Sequence, residues 1–457
     1  MSDNRLEELK NAVAEPSADY KSGPVRITKL KISNYKFFCG DFELDCNANN
    51  VLIYGENGSG KSSVYRALEY LTKTKFDAIA KDKNIFAEDG EPQIEFSFSN
   101  GKELIIHSDL EELPESASFV KGLTIFRPML DYKKLLKVHF VSQGNGDSVN
   151  IYSMLKELFD NYPYKSGGVL NDIEDFQEYF DALEQLLDGD LKDEINENLS
   201  YFDKEFSISK FHFITKRVDD QAQPTVTIKI DYKGTEIQAY HTFLNEARLS
   251  GLAISLYFAS IKRLLGTIED ECLKMLVLDD LLISLDMNNR LILLELLKSH
   301  FDDFQIFFFT HDKELFEIYK NKIPWEKYEF YLDDSEDIPK PILKKGSSEL
   351  ERAKEYYGKK EFDACALMLR KQFERTLKAF LPPKEQRDKN CNDLDLAGLI
   401  GKAIAKTEGD AKAILKKLDS DRKHILNPLS HNDDRNIYAQ EIKTAIGDME
   451  KLKNVLK

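Results

Sequence analysis

Eight consecutive residues carry the strongest chemical signal in the chain: Gly55-Glu56-Asn57-Gly58-Ser59-Gly60-Lys61-Ser62, a full match to GxxxxGK[ST]. Glycines at these intervals let a backbone curl until its N–H groups converge on phosphate oxygens. A helix that starts there adds its partial positive charge. ATP is the ligand such a loop implies, held by Gly55, Asn57, Gly58, Ser59, Gly60, Lys61, Ser62 and Ser63. Lys61 is expected to reach the β- and γ-phosphates, and Ser62 to ligate Mg²⁺. A second constellation lies far along the chain, where Leu273-Lys274-Met275-Leu276-Val277-Leu278 runs into Asp279-Asp280. Asp279 is expected to hold the Mg²⁺ shell and Asp280 to orient an attacking water. Read alone, the same residues are a strand ending in a solvated acidic turn; paired with the phosphate loop, they read as chemistry. A third stretch, Phe304–Phe309, runs into Thr310-His311-Asp312.

These residues need strands and helices to position them. Val51-Leu52-Ile53-Tyr54 predicts a strand ending at Gly55, and Ser62 to Leu71 a helix with Val64, Leu68 and Leu71 on one face. Alternation around Asn100-Gly101 predicts a hairpin over 92–107. The short apolar runs at 273–278 and 304–309, each followed by a helical pattern, predict parallel strands buried on both faces. Between them, 150–205 reads as a helical lobe rich in acids, and 211–237 returns to strand-like alternation with a turn at Lys233-Gly234.

The organisation that follows is an α/β head over 25–338 that contains the lobe at about 150–205. A polar tail precedes it over 1–24, a Pro- and Lys-bearing linker follows over 339–346, and an all-α domain spans 347–457. A chain of 457 residues is long enough for two or three domains. Five cysteines, Cys39, Cys46, Cys272, Cys365 and Cys391, lie scattered without a CxxC pair, which argues against a disulfide framework or a zinc site. With no apolar run of membrane length and no leader-like start, the expectation is a cytoplasmic protein without membrane contact. The formal net charge of −16 counts against nucleic-acid binding by the whole surface and leaves it to a local patch, a groove between subunits or a partner.

The order of motifs resembles the ABC-type ATPase head shared by SMC, RecF and RecN proteins, over roughly residues 25–335. Leu244-Asn245-Glu246-Ala247-Arg248-Leu249-Ser250-Gly251 resembles the signature motif of that family, Ser284-Leu285-Asp286 its D-loop, His311 its H-loop histidine and Asn34-Tyr35-Lys36-Phe37 its N-terminal strand pair. The resemblance implies that Asn245, Glu246, Ala247 and Arg248 of one subunit close over the γ-phosphate held by another, with Ser284, Asp286 and Lys36 beside the nucleotide. It also makes His311 a γ-phosphate sensor and Gln143 a Q-loop ligand of Mg²⁺. Lys61, Asp280 and His311 are then the catalytic set.

Two positions depart from the family pattern. Asp280 stands where Glu is usual, so its carboxylate lies about an ångström further from the water, which predicts slow, regulatory turnover. Asn245 and Glu246 stand where Ser and Gly are usual. A short lobe in place of long arms, Asp279-Asp280, and Leu-Asp-Met-Asn after the D-loop are similar to the ATPase subunit of Septu-type anti-phage systems, which works with an HNH nuclease. They are similar also to the anticodon-nuclease ATPases.

In the C-terminal domain Ala366, Leu369, Phe373, Leu377 and Phe380 form an apolar stripe at helical spacing. Arg370 and Glu374 sit one turn apart, and His431 follows much later. This trio resembles the triad of anticodon nucleases, in which His would act on a ribose 2′-OH and Arg would stabilise a phosphorane. The plainer reading is an ordinary helix ion pair and a helix-capping Ser430-His431-Asn432. The sequence therefore predicts an ATPase subunit whose head dimers control a nuclease partner through a helical docking domain. The alternatives are an ATP-gated RNase acting through its own C-terminal domain, a RecF-like DNA-repair ATPase, and a scaffold that binds nucleotide without turnover.

Overall fold

The computed structural model describes residues 24–139, 149–165, 167–218, 221–268, 272–281, 285, 287–426 and 439–456. The chain divides into two compact units. One reaches to Ile318 and adds Tyr328–Lys344; the other comprises Tyr319–Lys327 and the chain from Lys345 onward.

In the first unit β1 (Ile27–Tyr35) and β2 (Phe38–Asp45) form a hairpin, and β3 (Val51–Gly55) leads into the phosphate loop. Then β4 (Gln93–Phe98) and β5 (Glu103–Ile106) form the hairpin predicted around Asn100-Gly101. These hairpins make a four-stranded antiparallel sheet in the order β2-β1-β4-β5. Further along come β6 (Met129–Asp131), the two-residue pair β7 (Pro163–Tyr164) and β8 (Gly168–Val169), and the antiparallel ribbon β9 (Phe206–Val218), β10 (Gln221–Tyr232) and β11 (Thr235–Ile237). The last strands are β12 (Met275–Asp279), β13 (Gln305–Thr310), β14 (Glu326–Asp333) and β15 (Lys340–Lys345).

The main sheet has six strands in the order β15-β14-β3-β13-β12-β6, and β3, β13, β12 and β6 run parallel. Parallel strands are covered on both faces, so they must be apolar throughout, and all five residues of β3 and all six of β13 are buried. The apolar runs read from the sequence are these strands. The expected linker over 339–346 is corrected: Lys340–Lys345 is β15, an edge strand of the main sheet. Its alternation of exposed and half-buried residues is that of an edge strand, a pattern the two prolines obscure in the sequence.

The segment over 150–205 is helical, with helices Tyr152–Phe159, Phe176–Leu186 and Lys192–Phe202. Its helices pack on β9 and β10 and on the long helix Glu246–Leu265. The second unit holds helices Glu349–Gly358, Phe362–Phe380, Leu396–Lys406, Gly409–Asp421 and Ala439–Val455. They close on their own core, with Ala366, Leu369, Phe373 and Leu377 buried and Phe380 packed against them. Among the described residues no helix is long and apolar enough to cross a membrane.

One buried polar side chain ties the two large sheets together. Gln305, wholly buried at the start of β13, accepts from Ile27 N–H at 2.6 Å and donates to the carbonyls of Ile27 at 2.8 Å and Asn49 at 2.9 Å. Removing it strands three backbone groups at once. Gln305→Ala is therefore expected to cost about 2–4 kcal/mol in urea denaturation, most of it unpaid desolvation. A loss under about 0.5 kcal/mol would mean that water replaces the amide.

Candidate functional site

The phosphate loop leaves β3 at Gly55 and enters the helix Lys61–Glu69 through Gly60, which has φ +96° and ψ −2°. Gly58 is also left-handed, at φ +82°. A side chain at Gly60 would place its Cβ 2.6 Å from the Phe37 ring, and one at Gly55 would meet Ser59 Oγ at 2.8 Å. The loop is thus wound too tightly for anything but glycine at these two points. The helix has no side-chain cap and no acidic residue in its first turn. Its first amides and its partial positive charge are left for an anion, the chemistry that phosphate requires.

Around the loop, the residues predicted from the sequence divide. Ser59 is buried with its hydroxyl unpaired, and Ser62 is exposed on the first turn. Ser63 is instead structural: its Oγ accepts from Phe37 N–H at 3.3 Å and so holds the β1–β2 turn over the loop. Lys36, expected beside the nucleotide, is committed elsewhere, with Nζ 2.7 Å from Asp82 Oδ1 and its N–H bonded to the Asp82 carbonyl at 2.7 Å. The residue of that turn that abuts the loop is Phe37.

The carboxylates arrive from the neighbouring strands. In register, Asp279 pairs with Phe309 on one side and Asp131 on the other, and Thr310 pairs with Tyr54. The phosphate loop, Asp279-Asp280, Thr310-His311 and Asp131 therefore all leave the same carboxyl edge of the sheet, where open α/β sheets bind their ligands. Lys61 Nζ lies 2.5 Å from Asp280 Oδ2 and 3.6 Å from Asp279 Oδ1, with all three side chains largely buried. His311 donates twice to Asp280 Oδ1, from its backbone N–H at 2.9 Å and from Nδ1 at 2.9 Å.

Asp280 has φ +51°, in the left-handed region, and its N–H bonds to the Phe309 carbonyl at 3.1 Å. Asp visits that region more readily than longer side chains because its short carboxylate can bond locally. Asp at this position therefore matches the backbone it sits on. This turn aims one oxygen at Lys61 and the other at His311.

Asp279 Oδ1 is buried without a hydrogen bond. Burial pushes the Asp279 carboxyl above its usual range, with Asp280 and Asp131 adding to the rise and Lys61 opposing it. A desolvated carboxylate oxygen without a hydrogen bond and a serine on the first turn of the loop's helix are fitting ligands for Mg²⁺, a hard cation that takes one or two protein oxygens and completes its shell with phosphate and water. Among the described residues no group of three or more His, Cys, Asp or Glu is gathered to hold a metal by protein ligands alone.

Two residues escaped the sequence reading. Asp131 ends β6, caps the following turn by accepting from Lys134 N–H at 2.9 Å, and adds negative charge beside Asp279. Its signal was a three-residue strand, too short for periodicity. Arg290 donates from Nε to the Leu285 carbonyl at 2.8 Å and lies 2.5 Å from Asp312 Oδ2. Asp312 in turn accepts from Leu315 N–H at 3.0 Å, and its own N–H bonds to Thr310 Oγ1 at 3.1 Å. Arg290 thereby ties Leu285 to the turn that carries His311. Ser284, Asp286 and Gln143 lie outside the described residues, as does His431.

The signature-like stretch begins the helix Glu246–Leu265, which Asn245 caps by accepting from Arg248 N–H at 3.0 Å. Asn ranks with Ser and Asp among the best helix caps. Asn245 and Glu246 are exposed and Ala247 half-buried, whereas Arg248 is engaged within the chain by Asp203 at 2.6 Å and Glu205 at 2.8 Å. In the second unit Glu374 pairs with Lys378 at 2.7 Å, so its carboxylate is committed to the next turn.

A family model described as an AAA domain matches residues 29–212. No curated protein matches the chain. Among solved structures, the Smc head bound to the C-terminal winged-helix domain of ScpA is similar at 12% identity, with 71% of this chain and 99% of that chain covered and a TM-score of 0.39. The SMC head domain from Thermotoga maritima is similar at 14% identity, covering 70% and 99%, with a TM-score of 0.37. The Smc head domain with an extended coiled coil, bound to the C-terminal domain of ScpA derived from Pyrococcus furiosus, is similar at 13% identity, covering 74% and 100%, with a TM-score of 0.43.

Two measurements follow from the site. A carboxyl whose pKa is higher in the folded than in the unfolded chain favours folding fully at low pH, and that contribution vanishes as pH rises through the folded value. Asp279→Asn is thus expected to raise Tm at pH 7 by about 2–4 °C, a gain that shrinks as pH falls into the carboxylate range. ATP turnover of the same variant should fall about 100-fold. A lower Tm at pH 7 would refute the buried-charge account. Arg290→Ala is expected to reduce turnover about tenfold with little change in KM, and Arg290→Lys to restore part of it; equal turnover in all three proteins would remove Arg290 from the site.

Proposed function

We propose that the chain is an ATP-binding and ATP-hydrolysing ABC-type ATPase of the SMC/RecF/RecN kind, acting as the ATPase subunit of a bacterial anti-phage defence complex of Septu type. The observation that supports the ATPase reading is the convergence of Lys61, Asp279, Asp280 and His311 at the carboxyl edge of the sheet, with Lys61 bridging both carboxylates. Phosphate oxygens compete with Asp280 for the Lys61 ammonium. When Lys61 turns to the β- and γ-phosphates, Asp280 is released to accept a hydrogen bond from the attacking water, with His311 keeping the carboxylate aimed. Ser62 and Asp279 would hold Mg²⁺, which supplies charge neutralisation across the phosphates. The shortness of Asp280 makes turnover slow.

Exposure of Asn245 and Glu246 at the capped start of a long helix supports the head-dimer reading, since a second copy can bring that end onto the phosphates. ATP then adds contacts that exist only in the closed dimer, and hydrolysis removes them, so nucleotide state can govern a partner nuclease of HNH type. The sequence resemblance supports the defence role and the partner. The helical C-terminal unit serves as the docking or assembly domain; the pairing of Glu374 with Lys378 favours this over an RNase built on Arg370, Glu374 and His431. A cytoplasmic location belongs to the same reading.

Lys61→Ala is expected to abolish ATP binding, and Asp280→Asn to bind ATP and accumulate as a dimer by light scattering. Asp280→Asn that hydrolyses at the wild-type rate would show that another group positions the water. The chain purified alone is expected to leave total RNA and plasmid DNA intact with or without ATP. Cleavage that His431→Ala abolishes would instead establish the self-contained RNase.

A further inference from the structure

The helix that starts at the phosphate loop spans nine residues and so rises about 13 Å along its axis. Beyond its far end lies a cleft of about 700 Å³, lined by Thr72, Lys73, Thr74, Lys75, Thr124 and Arg127 with Ile125, Asn161 and Val169. Its lining holds three cations, three threonines, an asparagine and no carboxylate, in a chain whose formal net charge is −16.

The cations are not consumed by the fold. Among the described residues no carboxylate forms an ion pair with Lys73, Lys75 or Arg127. Lys73 Nζ rests 3.9 Å from the centre of the Tyr70 ring, which orients it without neutralising it. Arg127 gives one N–H to the Glu157 carbonyl at 3.2 Å. Its backbone is left-handed, at φ +40°, at the end of the helix Gly122–Phe126, where glycine would be the unstrained choice. The neighbouring acids are otherwise engaged: Glu69 pairs with Arg66 at 2.9 Å, and Glu157 with Lys137. Asp160 is the acid that Arg127 feels, and its carboxyl is pushed up, above all by burial.

We infer that this cleft is a second anion site, distinct from the phosphate loop, that takes a phosphate-bearing ligand. Two lysines, a guanidinium and the Thr74 hydroxyl supply charge and hydrogen bonds to phosphate oxygens without reading a base, while the Thr72 and Thr124 hydroxyls donate to the carbonyls of Glu69 and Lys121. The volume exceeds what one phosphate needs and falls within the range of sites for nucleotide-sized ligands. Such phosphates come either from a free nucleotide or from the backbone of a nucleic acid. The net charge argued against nucleic-acid contact over the whole surface, and a concentrated patch is how an acidic protein would make it.

The test uses the full chain and two probes, a fluorescein-labelled 20-nucleotide single-stranded DNA followed by anisotropy and ADP followed by calorimetry. The ADP titration is made on Lys61→Ala, so that the phosphate loop does not contribute. Wild type is expected to bind the oligonucleotide. The triple variant Lys73→Gln, Lys75→Gln, Arg127→Gln should bind it at least about tenfold more weakly, with a log–log salt slope shallower by about 2. The exposed single change Lys75→Glu should fall between them and keep wild-type ATP turnover, which shows that the fold and the phosphate loop are intact. ADP binding by Lys61→Ala that the triple change removes would also sustain the site and make a free nucleotide its ligand. Equal affinity of wild type and triple variant for both probes, or no binding of either, would overturn it. ATP turnover reports on the phosphate loop separately, so failure of one reading leaves the other standing.

Discussion

Four parallel strands in one register set where chemistry can occur in this molecule. β3, β13, β12 and β6 are hydrogen-bonded so that Tyr54 lies beside Thr310, Asp279 beside Phe309, and Asp131 beside Asp279. Because both faces of the sheet are covered, polar side chains have no place along the strands and appear where the strands end. A slip of one residue between β12 and β13 would turn Asp279 to the opposite face and separate it from Lys61. Gln305 serves the same constraint from the other end, since its side-chain amide fixes the start of β13 to β1 through two buried hydrogen bonds with Ile27 and to the approach to β3 through a third with Asn49.

The edge built in this way gathers more acid than base. Asp131, Asp279 and Asp280 gather there with Lys61 and His311, and Asp279 carries the cost as a carboxyl held above its usual range, with Oδ1 buried without a hydrogen bond. A buried carboxylate without a hydrogen bond is unfavourable in a finished fold and useful at a site that expects a cation. The left-handed backbone of Asp280 belongs to the same geometry: it lets a single carboxylate address a lysine at the start of a helix and a histidine just past β13. Arg290 extends this rigidity outward by joining Leu285 to Asp312.

Overall charge is a poor guide to local charge here. The same chain that carries −16 places Lys73, Lys75 and Arg127 around one cleft with no acid in its lining. Elsewhere acids pair with bases on helix surfaces at i,i+4 spacing, as Glu355 does with Lys359 and Glu374 with Lys378. Such exposed pairs contribute little to stability and much to solubility.

What the sequence by itself determined is whatever depends on neighbours along the chain. The phosphate loop was legible because its glycines, lysine and serine act within eight residues, and the buried strands were legible because parallel sheets demand continuous apolar runs. The C-terminal helices were legible from 3.6-residue periodicity, and the hairpin at Asn100-Gly101 from its turn. Only the tertiary structure decided which of the candidate residues meet. Lys36 turned to Asp82 and left Phe37 against the loop; Ser63 became a support; Arg248 was taken by Asp203 and Glu205; and a supposed linker proved to be β15. Asp131 and Arg290 joined the site from a strand of three residues and from the face of a helix, positions with no periodic signal of their own. The physical reason is the same in each case. A side chain's partner is chosen by distance in space, between residues separated by tens to hundreds of positions, and no local pattern encodes that distance.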